Sequence, residues 1–146
     1  MKRILAVLPI LVALWASGQT LDVPDQGQRA LYSTTISTDR ATLTGVCMMK
    51  NAGDTLLGSI VNEFGIRAFS FSVMPDRNKV KLHEVMPALN KWYIKRTLRD
   101  DLRCLFQPER LGKHRELTVE GDTTTLVNRK RNIFYKFIRI PDETNQ

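Results

Sequence analysis

Six residues carry side chains from which a reactive centre could be assembled: His83, His114, Cys47, Cys104 and the adjacent pair Asp100-Asp101. A Ser or Cys nucleophile needs a base within hydrogen-bond reach and a third group to orient that base. His83 lies in the strand-like run KVKLHE, where successive side chains point to opposite faces, so neighbouring Glu84 is badly placed to orient it. His114 lies in a basic loop, Gly112-Lys113-His114-Arg115-Glu116. On a helix Asp100 and Asp101 point about 100° apart, and Arg96, Arg99 and Arg103 around them make charge pairing their ordinary use. Two Cys and two His scattered along the chain cannot supply the four close ligands of a structural metal cage. The expectation is a protein that is not an enzyme, with no metal and no cofactor.

The elements that hold these residues follow from periodicity. Period-2 runs predict strands at about 30–38, 42–50, 55–63, 66–74 and 79–84, separated by Asp39-Arg40, Asn51-Ala52-Gly53-Asp54, Phe64-Gly65 and Pro75-Asp76-Arg77-Asn78. Connections this short join antiparallel neighbours, so these five strands form a meander. The period then changes. From Pro87 to Phe106 no breaker occurs, and Ile94, Leu98, Leu102 and Leu105 make one apolar helical stripe. Pro108 and Gly112 end it, and strands follow at about 115–120, 123–129 and 132–140, the first two joined at Gly121-Asp122. Without βαβ alternation a parallel doubly wound sheet is not expected. The expected class is mainly antiparallel β (α+β): an incomplete or strongly curved β-barrel of about eight strands, with one long helix inserted between strands five and six; an open α+β sheet with the helix on one side also fits the order of elements. Phe134, Ile138 and Ile140 against Ile133, Tyr135 and Phe137 make the last strand apolar on both faces. Such a sheet either packs on both sides or encloses something apolar.

The chain has 146 residues and a net charge of +7, with 42% hydrophobic residues, which fits one domain and excludes disorder or a fibrous repeat. Met1-Lys2-Arg3, an apolar run from Ile4 to Ala16, and small residues Ala16 and Gly18 match a secretory signal with cleavage before Gln19. The run reaches about 20 Å as a helix, short of the roughly 30 Å of a hydrocarbon core. The expected organisation is a signal peptide at 1–18, a polar leader at 19–28, one β-rich domain at 29–140 and a tail at 141–146. No Cys stands at the cleavage point, so the mature chain is expected in the periplasm, or secreted, without a stable membrane anchor. In that oxidising setting Cys47 and Cys104 are either bridged or two separately buried thiols.

On the helix, Lys95, Arg99 and Arg103 recur at spacings of four behind Trp92. This ridge is either a solvated face or a contact for anionic head groups or a partner. Phe69 and Phe71 share one strand face and, with Ile94 and Leu98, are the expected wall of any apolar cavity. The charge comes with no helix-turn-helix, zinc-finger or RNA-binding motif, so nucleic acid is not an expected partner.

The segments NEFGIRAFSFSV (62–73) and ALNKWYIKRTLRDDL (88–102), with Thr44-Gly45 and the order of elements over about 30–140, resemble the LolA/LolB-like periplasmic lipoprotein carrier superfamily, and more closely small LolB-like proteins. The chain differs from LolB in having no Cys for lipid attachment, and from both carriers in having one recognisable helix. The resemblance implies an incomplete barrel plugged by helices that takes up acyl chains. The expected function is accordingly an exported, soluble protein that binds or carries a lipid or lipidated peptide, with lipoprotein acyl chains as partners. The alternative is a non-enzymatic interaction module with a packed core that docks on an envelope protein.

Overall fold

Along Arg29–Ser37 the side chains alternate, and strand β1 formed there buries Ala30, Tyr32, Thr34 and Ile36 while Arg29, Leu31 and Ser33 face out. The remaining elements are β2 (Thr42–Asn51), β3 (Leu56–Asn62), β4 (Arg67–Val73), β5 (Val80–His83), helix α1 (Trp92–Phe106), β6 (Arg115–Glu120), β7 (Thr123–Asn128) and β8 (Ile133–Ile140). This computed structural model describes residues 20–74 and 79–141. The expected signal peptide, the turn at 75–78 and all but the first residue of the expected tail lie outside the described residues.

All eight strands belong to one antiparallel sheet of order β5-β4-β3-β2-β1-β8-β7-β6. Two meanders, β1 to β5 and β6 to β8, are joined where β1 pairs with β8, for example Thr34 opposite Phe137. The sheet is open: β5 and β6 are its two edges and do not pair with each other. The chain between these edges must cross one face, and α1 lies in that crossing. The molecule is thus mainly antiparallel β with one helix between strands five and six.

The register fixes which residues meet under the helix. Tyr32 is opposite Cys47, Cys47 opposite Ile60, and Ile60 opposite Phe69, so these side chains share the covered face and all are buried. Leu98, Leu102 and Leu105 close that face from above. Leu102 and Leu105 are fully buried, each contributing about 1.5–3 kcal/mol by removal from water. The other face has no such cover: Leu31, Val46, Met48, Leu57 and Phe134 remain 37–44% exposed. Of the two apolar faces of β8, only the one bearing Tyr135 and Phe137 is packed away.

Three local differences from the sequence expectation have physical causes. Pro87 starts a short 3-10 turn, Pro87–Leu89, rather than the long helix; Asn90 (φ −83°, ψ 64°) and extended Lys91 then break the path before α1 begins at Trp92. An Asn can satisfy its own backbone outside a helix, which a periodicity argument does not register. The supposed polar leader is docked: Leu21 is buried and its N–H donates to the Leu105 carbonyl at 3.1 Å, while Tyr32 Oη donates to the Asp22 carbonyl. Leu21 and Val23 provide the apolar alternation that holds it. Finally, Gly58 lies opposite Phe71, and the Phe71 ring occupies the space a side chain at 58 would need.

Candidate apolar binding site

The N-terminal half of α1 separates two cavities. At about 100° per residue, Trp92, Arg96 and Asp100 form one row, Ile94 and Leu98 a second, and Tyr93 and Thr97 the line between them. Under the second row is an apolar cavity of about 570 Å³, walled by Ile36, Leu43, Phe69, Met86, Leu89 and Ile133 together with Ile94 and Leu98. Under the first row is a basic cleft of about 450 Å³. Tyr93, Thr97 and Arg131 line both. Each volume lies within the roughly 300–1,000 Å³ usual for small-molecule sites.

The sheet builds the apolar cavity by register. Ile36 and Leu43 pair across the β1–β2 hairpin, and Phe69 enters from β4 just beside the irregularity at Ala68, where the β3–β4 pairing shifts between Ile60 and Val61. Of the four residues expected to line a cavity, the structure brings Phe69, Ile94 and Leu98 together. It does not bring Phe71 with them. Phe71 is buried against Gly58, with its ring 6.3 Å from that of Phe69. Trp92 lines the basic cleft, 71% exposed, with its ring edge-on to Tyr93 at 5.7 Å. The ridge of Lys95, Arg99 and Arg103 lines neither cavity: Lys95 and Arg99 point away from the Tyr93–Thr97 line, and Arg103, at the angle of the Trp92–Arg96 row, stands nearly a turn further along α1 than Asp100. Arg103 is instead paired with Asp100 at 3.5 Å.

What fixes α1 over the sheet is a residue whose role the sequence reading missed. Asp101 is fully buried and accepts hydrogen bonds from Arg115 Nε (2.7 Å), Asn128 Nδ2 (2.9 Å) and Tyr135 Oη (2.5 Å), tying the helix to β6, β7 and β8. Burial pushes its carboxyl above the usual carboxylate range, opposed by the Tyr135, Arg115 and Asn128 donors that favour the anion. Burial raises the Tyr135 hydroxyl too, and the Asp101 charge beside it raises it further. Both aspartates are charge-paired as expected, Asp100 with Arg103 of the helix, but Asp101 pairs with Arg115 of β6 rather than with a helix arginine, and its burial was not foreseen. A signal was available: Asp101 stands three residues after Leu98 and four before Leu105, inside the apolar stripe.

The two cysteines are free and buried. Cys47 lies under the helix between Tyr32 and Ile60 in register, and burial pushes its thiol up to about 12. Cys104 is covered because the turn Pro108–Arg110 folds back over it; its thiol donates to the Arg110 carbonyl at 3.5 Å. His83 is an exposed residue bonded to Ser72 Oγ at 3.0 Å, and Glu84 pairs with Arg67 at 2.7 Å rather than with His83. Among the described residues no three His, Cys, Asp or Glu gather as metal ligands, and no helix is long and apolar enough to cross a membrane. Comparison with family models, with curated proteins and with solved structures finds no match to this chain.

Proposed function

We propose that this is an exported, non-enzymatic protein that binds or carries an apolar ligand, a lipid or a lipidated peptide, in the cavity between α1 and the sheet. One observation carries the reading: a space of about 570 Å³ walled by eight Ile, Leu, Met and Phe side chains, with Ala41, Tyr93, three threonines and Arg131 completing the lining. Apolar lining with few polar groups suits an alkyl chain, which gains about 0.8 kcal/mol for each CH₂ removed from water. A sheet curved toward α1 as a half-barrel would enclose such a chain, and the likeness to LolA/LolB carriers, which rests on the sequence, points the same way. Export rests on the pattern at residues 1–18.

A neutral fluorescent probe, N-phenyl-1-naphthylamine, tests the cavity. It should bind the wild type with an emission increase, and Ile94→Trp, which fills the space, should reduce binding at least about tenfold without lowering the melting temperature by more than a few degrees. No binding to the wild type would refute the reading. The second reading, an interaction module docking on an envelope protein, is favoured by the uncovered sheet face with Leu31, Met48, Leu57 and Phe134. Native mass spectrometry of protein purified from membrane-containing lysate separates the two. Co-purified lipid supports the carrier; a lipid-free mass with a stable protein partner supports the module.

A further inference from the structure

We propose that the basic cleft on the other side of Tyr93 and Thr97 is the seat of an anionic head group, so that the ligand is a single-chain amphiphile bearing a phosphate. This inference rests on the apolar-cavity reading and specifies its ligand.

The lining of the cleft is strongly basic. Arg96, Lys113, Lys130 and Arg131 line it along with Arg110 and Arg115, against one lining carboxylate, Asp100, which is already paired with Arg103. Arg115 is committed to Asp101. Arg96, Lys113, Lys130 and Arg131 form no ion pair with any carboxylate among the described residues. They come from three separate parts of the chain: α1, the loop before β6 and the β7–β8 turn. Backbone geometry holds that turn in place, with the Arg131 N–H donating to Asn128 Oδ1 at 3.0 Å and the Arg129 N–H to the His114 carbonyl at 2.7 Å. Cations that outnumber the carboxylates on a concave surface focus a positive potential there and favour an anion. A phosphate accepts several donors at once, which suits guanidinium and ammonium groups arriving from different directions.

The link to the apolar cavity is geometric. Tyr93, Thr97 and Arg131 line both spaces, so a ligand with its chain under Ile94 and Leu98 can pass its head beneath the Tyr93–Thr97 line and reach Arg131 first. An uncharged hydrocarbon would use one space, and a free phosphate only the other. A linked head and chain use both, with the second contact made at high effective concentration.

Calorimetric titration with dodecyl phosphate, dodecanol and inorganic phosphate tests this on the wild type and two variants. Dodecyl phosphate should bind at least about tenfold more tightly than either other probe, an advantage that shrinks with salt. The triple variant Arg96→Gln, Lys113→Gln, Lys130→Gln, all at exposed positions and none lining the apolar cavity, should lose that advantage while binding dodecanol within about twofold of wild type, which also reports that it is folded. Lys95→Gln with Arg99→Gln, on the far side of α1, should leave all three affinities unchanged. Equal wild-type affinities for dodecyl phosphate and dodecanol would overturn the head-group site and leave the cavity standing. Equal affinities for dodecyl phosphate and inorganic phosphate would overturn the linkage of the two spaces. A loss of phosphate preference in the Lys95/Arg99 variant as large as in the triple variant would also overturn it, as an effect of overall charge. Failure of both dodecyl probes to bind refutes the cavity reading itself.

Discussion

Replacing either of two adjacent aspartates by alanine should have very different consequences. Asp101→Ala removes a fully buried carboxylate that accepts from three side chains on three strands. Asn128 and Tyr135 are themselves buried, 2% and 0% exposed, and cannot turn to water. A buried donor left without a partner costs about 1–3 kcal/mol. Arg115, 23% exposed, can rehydrate in part, so its share is smaller. Because the three bonds share one acceptor, their losses do not simply add, and breaking a buried pair in this way costs about 3–5 kcal/mol. Asp100→Ala removes one ion pair at 3.5 Å between side chains 42% and 30% exposed, worth less than about 1 kcal/mol. Urea melts followed by far-UV ellipticity, with the slopes checked for constancy, measure both changes. Tyr135→Phe, which removes one donor and keeps the ring, should fall between them. If Asp100→Ala and Asp101→Ala shift the midpoint equally, Asp101 is not the tie between α1 and the sheet, and the basis for a fixed helix over the cavity fails with it.

Three further outcomes follow from the covered face. Cys47, with its thiol pushed up to about 12 by burial, should resist iodoacetamide in the native protein at pH 8 and react once urea unfolds it; labelling at equal rates would show the site is open. Since its folded-state value is raised, the contribution of this group to stability is complete below the ordinary thiol range and is lost as pH climbs from there to about 12; Cys47→Ala should remove that part of the alkaline decline. Gly58→Ala would set a methyl 2.2 Å from the Phe71 ring and should cost about 1–3 kcal/mol in a denaturant melt, partly restored by Phe71→Leu; an unchanged midpoint would mean the ring is not held there.

Strand and helix positions were legible because each rests on a short-range period: two along the strands, near 3.6 along Ile94, Leu98, Leu102 and Leu105. So was the order of strands within each meander, since turns of a few residues leave an antiparallel chain little choice. The N-terminal reading at 1–18 rests on charge, an apolar run and small residues in succession, and lies outside the described residues. Phe69 by strand parity, and Ile94 and Leu98 by the helical stripe, could be assigned to one apolar wall, and the structure brings them together.

Parity also gave Phe71 to that wall, because Phe69 and Phe71 are two residues apart. Only the cross-strand neighbour decides what stands over a side chain, and for Phe71 that neighbour is Gly58, which lets the ring lie down on the sheet. The same limit governs the charges. Asp100 and Asp101 are indistinguishable by type, and Lys95, Arg99 and Arg103 look more like a built site than Arg96, Lys113 and Arg131 do. Which of them faces solvent, a buried tyrosine or a cavity depends on how α1 is rotated against strands that come 14 to 34 residues later in the chain. That rotation is set by Asp101 meeting Arg115, Asn128 and Tyr135. Periodicity can order side chains around a helix axis, but the sequence contains no measure of the angle at which the axis meets its sheet, because that angle is fixed by contacts distant in sequence.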